Sequence, residues 1–206
     1  IKQWSDSCGV TINAGSATNT RDLRELSLST DGLVVPFVYN VGNTQGPVKG
    51  TNSITEKTTR SVYAAGNLNV FKSTYLNLSG RNDWSSALPE VNQSYFYPSV
   101  SLSSVISDYF KLPKDINFIK LYGSWATAAS DLDPYSISAT YKKDLTYGST
   151  PSVGYSQKLV NPAILPEKTI SLETGVSMAF FDNRLSTDIT YYNVVEKDKI
   201  FDLNIS

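Results

Sequence analysis

Apolar and polar residues alternate over long stretches between residues 58 and 195, with little sign of helical periodicity. Val, Ile, Thr, Tyr and Phe at every second position are typical of β-strands. The alternation predicts six strands, at Thr58–Phe71, Thr74–Asp83, Ser94–Ser107, Ile116–Thr127, Glu167–Phe181 and Arg184–Val195. Strands of about 10–15 residues exceed the usual length of about 5–6 and suit a tilted bilayer crossing of about 9–11 residues. The pattern therefore favours an all-β, transmembrane sheet.

The connections between these strands alternate in length. Short turns follow the first, third and fifth strands, at Lys72–Ser73, Asp108–Asp115 and Asp182–Asn183. Longer connections follow the second and fourth strands, and the segment 1–57, predicted to be mainly an extracellular loop, falls on the same side. Short turns at one end and long loops at the other are typical of an outer-membrane β-barrel. We expect antiparallel, up-and-down strands, paired in sequence order, with every short turn at one end.

The parity of positions along each predicted strand defines two faces. One face collects apolar side chains: Leu76, Leu78, Val100, Leu102, Ile119, Leu121, Trp125, Ile170, Leu172, Val176, Met178, Phe180, Leu185, Ile189 and Tyr191. The other collects polar ones: Asn77, Ser79, Arg81, Asp83, Ser99, Ser101, Ser103, Lys120, Tyr122, Ser124, Glu167, Ser171, Glu173, Ser177, Arg184, Ser186, Asp188 and Thr190. Lipid would cover the first face and water the second. We expect the wall charges on this face to pair with one another across strands: Glu167, Glu173, Lys120, Arg81 and Asp188.

Composition removes several classes of chemistry. The 206 residues carry a net charge of −1, no histidine and one cysteine, Cys8. The commonest general base and metal ligand is therefore missing, and the balanced charge gives no sign of a nucleic-acid partner. No nucleophile elbow, phosphate-binding glycine loop or zinc spacing is present. We predict that the chain is not an enzyme, holds no cofactor or metal, and has no special use for Cys8.

Several stretches, in order, resemble one family. They are "YLNLSGRNDWSS" (Tyr75–Ser86), "YFYPSV" (Tyr95–Val100), "LYGSW" (Leu121–Trp125) and a long run from Asn161 to Asn193 that contains "PEKT", "ETG", "FFDNRL" and "YYN". "GLVVPFVYNVGNT" (Gly32–Thr44) looks like a surface-loop motif of the same family. The chain resembles the SusC/RagA family of TonB-linked (TonB-dependent) outer-membrane transporters over most of its length.

This resemblance implies more than the residues alone establish. Its members are large barrels that import glycans or peptides into the periplasm, are energised by TonB, and are capped by a SusD-like lipoprotein. It implies the outer membrane of a Gram-negative bacterium as the location. Residues 1–206 would be a partial barrel from the later barrel half, without a plug domain, with strands and loops over residues 58–199. TonB would act through an N-terminal part absent from this sequence.

Five residues near one long connection are candidates for facing the substrate. Trp84 is predicted to lie in the loop after Asp83, with Tyr95 and Tyr97 on the polar face beside it. Aromatic rings there would stack on a sugar face; the alternative is an interfacial aromatic belt or loop packing. Arg81 and Asp83 share the same face and complete the set.

"SDLD" (Ser130–Asp133) places two carboxylates in the next long loop. They suggest either a cation site or a solvated turn, and the turn is favoured because calcium-loop spacing is absent.

Two other functions remain open on sequence grounds. One is a soluble, secreted β-sandwich that binds carbohydrate, since sandwich strands also alternate. The other is a passive surface adhesin. Detergent dependence separates the first from a barrel, and a plug with a TonB box in the same gene separates the second from a transporter.

Overall fold

The computed structural model describes residues 2–5, 8–71, 73–138, 142–143, 150, 152–154 and 161–201. Ten strands lie within these residues: β1 (Lys2–Ser5), β2 (Cys8–Ser29), β3 (Lys49–Val70), β4 (Thr74–Ser85), β5 (Ser94–Val105), β6 (Ile116–Ser130), β7 (Lys142–Lys143), β8 (Val153–Gly154), β9 (Glu167–Phe180) and β10 (Leu185–Lys197). Single 3₁₀ turns follow at Glu90–Asn92 and Ile106–Asp108. No helix among the described residues is long and apolar enough to cross a membrane.

Eight of these strands form one antiparallel sheet in the order β1-β2-β3-β4-β5-β6-β9-β10. β7 and β8 pair only with each other in a small separate hairpin within the connection between β6 and β9. The chain therefore runs up and down with each strand beside the next, and the all-β, antiparallel fold predicted from the sequence is confirmed.

The turns are sorted by length as expected. The register pairs Cys8 with Val70, and Thr74 with both Val70 and Ser104, so the turns at 71–73 and 106–115 lie at one end of the sheet. Leu185 pairs with Phe180, which places the turn at 181–184 at that end too. The longer connections, 30–48, 86–93 and the one between β6 and β9, begin and end at the opposite end of the sheet, which we call the outer end. A β-sandwich needs a second large sheet packed on the first, and the described residues form none, so the sandwich alternative is wrong.

The register confirms the two predicted faces. Across β4 to β9, apolar residues oppose apolar ones: Leu76 pairs with Leu102, Val100 with Trp125, and Leu121 with Val176. Because side chains alternate along every strand, these pairs share one side of the sheet. The polar set occupies the other side, where Asn77 bonds Ser101 and Ser79 bonds Ser99. We call these sides the apolar face and the polar face.

Two tyrosines on the polar face lie over glycines of the neighbouring strand. Tyr122 pairs with Gly175, and a Cβ built on that glycine would lie 2.4 Å from the tyrosine ring. Tyr63 pairs with Gly15, where the same Cβ would lie 2.5 Å from the tyrosine oxygen. A large aromatic ring laid over a cross-strand glycine fills the space that the missing side chain leaves and helps to fix the register.

The prediction that residues 1–57 are mainly loop is wrong. β2 is a 22-residue strand, and it pairs with all 22 residues of β3 in an uninterrupted hairpin. β4 stops pairing with β3 at Thr59, so the outer part of the hairpin rises above the rest of the sheet. Polar residues occupy most positions on both faces of this outer part, and its few apolar side chains, such as Leu26 and Ile54, are exposed. Alternation, the signal that reveals a half-buried strand, is therefore missing there.

The height of the apolar face matches a membrane. Strand β4 rises about 33 Å along its axis from Thr74 to Trp84, and a tilt of about 45° reduces this to about 23 Å. Outer-membrane barrels carry an apolar band about 25 Å tall with aromatic residues at both edges. Phe180 and the exposed Phe181 lie at the turn end and Trp125 lies nearer the outer end, as the predicted girdles require, but Tyr191 lies at the middle of β10.

Candidate substrate-facing site

Four of the five candidate residues come together on the polar face near the outer end. The register pairs Arg81 with Tyr97, and Asp83 with Tyr95 on one side and Ser61 on the other. We call these five residues the outer polar cluster. They converge because Arg81 and Asp83 are two apart on β4, Tyr95 and Tyr97 are two apart on β5, and side chains two apart share a face.

The fifth candidate, Trp84, lies elsewhere. Strand β4 continues to Ser85, so Trp84 is part of the strand and not of a loop. Its even position puts it on the apolar face with Leu76 and Leu78, on the opposite side from the cluster. Placing Trp84 in a loop was wrong because the strand end was drawn two residues too early. Trp84 is 39% exposed and Phe96, on the same face, is 58% exposed, which fits the outer aromatic girdle.

Hydrogen bonds tie the cluster together around one carboxylate. Arg81 Nε donates to Asp83 Oδ1 at 2.8 Å, and the Tyr97 hydroxyl donates to Asp83 Oδ2 at 2.5 Å. Arg81 Nη2 also donates to Ser61 Oγ at 2.9 Å. Asp83 is only 5% exposed, and a buried carboxylate is stable only when it is paired and hydrogen-bonded. Asp83 is therefore a structural anchor that orients the arginine and the tyrosine.

The aromatic rings complete the arrangement. Tyr95 and Tyr97 are stacked, with ring centroids 5.9 Å apart and planes 24° from parallel. The Arg81 guanidinium lies over the Tyr97 ring, 5.9 Å from its centroid. Tyr95 is buried at 7% exposure, so its ring packs within the wall. The side chain of Arg81 is 45% exposed, which leaves this guanidinium as the most accessible part of the arginine–aspartate pair.

A pocket of about 350 Å³ lies beside Arg81 and Tyr97, and its other polar lining residues are Tyr63, Ser79, Ser99 and Thr127. A guanidinium beside an aromatic ring can bind a carboxylate through paired hydrogen bonds, or a sugar hydroxyl and ring face. The described residues bring no three Cys, Asp or Glu side chains together in a way that would hold a metal ion.

Sequence reasoning missed Ser61 and Tyr63. Both lie on β3, whose faces were not assigned. Their odd residue numbers place their side chains on the face opposite to those of Val62 and Ala64. Continuing the parity analysis into this strand would have placed them beside Asp83 and Arg81.

Two expectations about charges were wrong. Arg81 pairs with Asp83 two residues along its own strand, instead of with a predicted partner across strands. Asp188 accepts hydrogen bonds from Tyr122 at 2.8 Å and from Ser177 at 2.6 Å. In "SDLD", the solvated turn is wrong for Asp131, because Lys57 Nζ lies 2.7 Å from its Oδ1, but Asp133 is exposed and its carbonyl oxygen accepts from the Ser136 N–H at 3.3 Å, as in a turn.

Comparison with known proteins identifies the class to which this wall belongs. Residues 3–205 match the family model described as TonB dependent receptor-like, beta-barrel. The chain therefore belongs to this family, as its resemblance to SusC/RagA transporters indicated. Among curated relatives, TonB-dependent receptor P26 of Formosa agariphila is 27% identical over 147 residues, which are 68% of this chain and 15% of the relative.

Solved structures agree on the fold. The RagAB peptide transporter superposes with a TM-score of 0.87 at 19% identity, covering 100% of this chain and 23% of that one. The RagAB peptide importer in its "closed-closed" state gives 0.82 at 20% identity over 95% of this chain and 22% of that one. Its "open-open" state gives 0.78 at 20% identity over 93% and 21%. The chain thus spans less than a quarter of these structures.

Proposed function

We propose that this chain is one segment of the wall of an importer in the outer membrane of a Gram-negative bacterium. The observation that carries the proposal is the family match over residues 3–205. The continuous apolar face, one membrane in height, and the polar face behind it support the same role. In this arrangement lipid covers the apolar face and the polar face lines the lumen.

The cargo in this proposal is an oligosaccharide or a peptide, taken up with energy from TonB and through a barrel capped by a SusD-like lipoprotein. The fold similarity to RagAB, described as a peptide transporter, supports a peptide. The accessible Arg81 beside Tyr97 supports either cargo, since a guanidinium binds peptide carboxylates and tyrosine rings stack on sugars. These two residues are the substrate-facing candidates that we retain.

Uptake by cells that carry the full-length gene tests this proposal. Labelled peptides and oligosaccharides are supplied to the parent strain, a deletion strain, and the deletion strain complemented with the gene. We expect one cargo class to enter in a way that needs both the gene and the proton gradient. If the deletion strain takes up both cargo classes as fast as the parent strain, the importer is rejected and a passive adhesin is favoured.

A further inference from the structure

The residues that follow β6 cross the sheet. Lys57 Nζ on β3 lies 2.7 Å from Asp131 Oδ1 and 3.2 Å from the Leu132 carbonyl oxygen, and the Ser85 hydroxyl on β4 also donates to Asp131. β5 stops pairing with β6 before the outer end of the sheet, so the end of β6 separates from β5, and Asp131, the first residue after β6, reaches β3 and β4 across the outer part of β5. We call Asp131–Ser138 the strap, and Lys57, Ser85 and Asp131 its latch.

The strap crosses on the polar face. Ser85 is on that face because it is two residues from Asp83, and Thr59, its partner on β3, is two residues from Lys57. The side chains of Lys57 and Ser85 therefore point towards the polar side. If the polar face lines the lumen, as proposed above, the strap lies on the lumen side of the wall at its outer end, level with Ser85.

Burial is concentrated where the strap meets the wall. The most buried residues that the structure describes in this region are Ser85 (1% exposed), Ala87 (3%), Leu88 (4%), Ser61 (4%), Asp83 (5%) and Tyr95 (7%). The latch is itself partly shielded, with the side chains of Lys57 and Asp131 only 23% and 16% exposed. An ion pair shielded to this degree is costly to leave with one partner missing, so the closed position is strongly preferred.

Further contacts hold the same connection at both ends. The Tyr135 hydroxyl accepts from the Glu56 backbone N–H at 3.2 Å, on the edge of β3 above the end of β4. At the far end of the connection, Asn92 Nδ2 donates to the carbonyl oxygens of Ala163 at 3.0 Å and Ile164 at 3.2 Å. The two described ends of this connection are therefore held by β3 and by the connection between β4 and β5.

We infer that the strap is a fixed constriction of the lumen, closed by the latch, that sets an upper limit on the size of solute reaching the outer polar cluster. The limit follows from position, because the strap is anchored at Ser85, about 7 Å along β4 from Asp83. This inference rests on the proposed function only for the claim that the polar face lines a lumen.

Reagents of graded size test the constriction without requiring transport. Ser99, on the polar face beside the pocket, is replaced by cysteine in the full-length protein carrying Cys8→Ser and serine in place of any cysteine outside these 206 residues. Purified protein in detergent is labelled with a small maleimide or with a maleimide on a large polyethylene glycol. With the latch intact, we expect the small reagent to react at least about tenfold faster than the large one, after correction for each reagent's rate with a free thiol.

Latch variants make the test specific. Lys57→Met and Asp131→Asn should each raise the labelling rate of the large reagent by about tenfold and leave the rate of the small reagent unchanged. A tenfold rise corresponds to a loss of about 1.4 kcal/mol in the free energy of strap closure. Lys49→Met is the matched control, because its ion pair with Asp31 is exposed on both sides (63% and 62%) and lies on the outer hairpin. The exchange of charges in Lys57→Asp with Asp131→Lys should restore slow labelling.

Equal rates for the large reagent in the parent and in both latch variants would overturn the constriction. So would the same acceleration in Lys49→Met. If the latch variants do not fold, slow labelling in the charge-exchanged protein still supports the inference, and fast labelling contradicts it. Because the readout is labelling, a positive result combined with absent uptake would reject the proposed function and keep the constriction.

Discussion

Single side chains in this wall are sorted by the solvent that they meet. Val176 and Ser177 are neighbours on β9, yet Val176 faces Leu121 and Ile189 on the apolar face, and Ser177 donates to Asp188 on the polar face. A charge placed at either position sits at almost the same depth. The two positions therefore isolate the effect of the face from that of depth.

Val176→Arg should destabilise the barrel by about 2–4 kcal/mol, the usual cost of an arginine on the lipid face near the midplane. Ser177→Arg should cost less than about 1 kcal/mol, because it stays on the polar side and gains the carboxylate of Asp188 as a partner. Reversible urea unfolding of the full-length protein in lipid vesicles measures both. Equal costs would show that the face assignment is wrong.

For the candidate site, the sequence could predict only which side chains share a face of the sheet. Parity placed Arg81, Asp83, Tyr95 and Tyr97 on one face, and the register confirms this. It could not show that Tyr95 is buried, since that depends on the strap, which approaches from residues more than 30 positions away. Trp84 was misplaced because a strand end moves by a residue or two without any change in composition.

Among the elements, the β2–β3 hairpin extends furthest. The part of this hairpin beyond Trp84, from Arg60 to Lys49 on β3, is about 36 Å long. No other described strand of the main sheet lies beside this part. The connecting loop at its tip is ordered by Asn43, whose side chain donates to the Val35 and Val38 carbonyl oxygens at 2.8 Å. The hairpin is therefore an ordered projection above the apolar band.

We expect the hairpin tip to be accessible from outside the cell. A cysteine replacing Thr51 in the full-length protein carrying Cys8→Ser should react with a membrane-impermeant maleimide in intact cells. A cysteine replacing Asp182, in a short turn, should react only after the outer membrane is permeabilised. Removal of Cys8 is necessary because it pairs with Val70, near the short turns. Labelling of Asp182 alone in intact cells would reverse the proposed orientation.

The strands that meet lipid were predictable, and this hairpin was not, for one physical reason. A strand between lipid and water alternates, as β9 does from Ile170 to Met178 with Thr174 as the exception. A strand between water and water has no such constraint, so five polar residues follow one another at positions 18–22 of β2. Only the pairing of that strand with β3, a contact between distant residues, reveals it as a strand.

On the scale of the whole molecule, the chain exposes far more surface than a globular protein. Its accessible surface is 15620 Å², whereas a compact monomer of 22.6 kDa exposes about 9,500 Å². Much of the excess is apolar, with Leu172, Ile189 and Leu102 each about half exposed. In the described sheet, β1 and β10 are outermost and each pairs on one side only. In lipid, each unsatisfied backbone group costs several kcal/mol.

Neither water nor lipid therefore suits these 206 residues alone. We expect the isolated chain, expressed without the rest of a barrel, to aggregate or to associate through its edges and apolar face. Size-exclusion chromatography with light scattering, followed by a thermal melt in detergent-free buffer, measures this, with the full-length protein in detergent as the folded control. A monodisperse monomer of the isolated chain that melts cooperatively would contradict the prediction, because it would require a packed core that the described sheet does not contain.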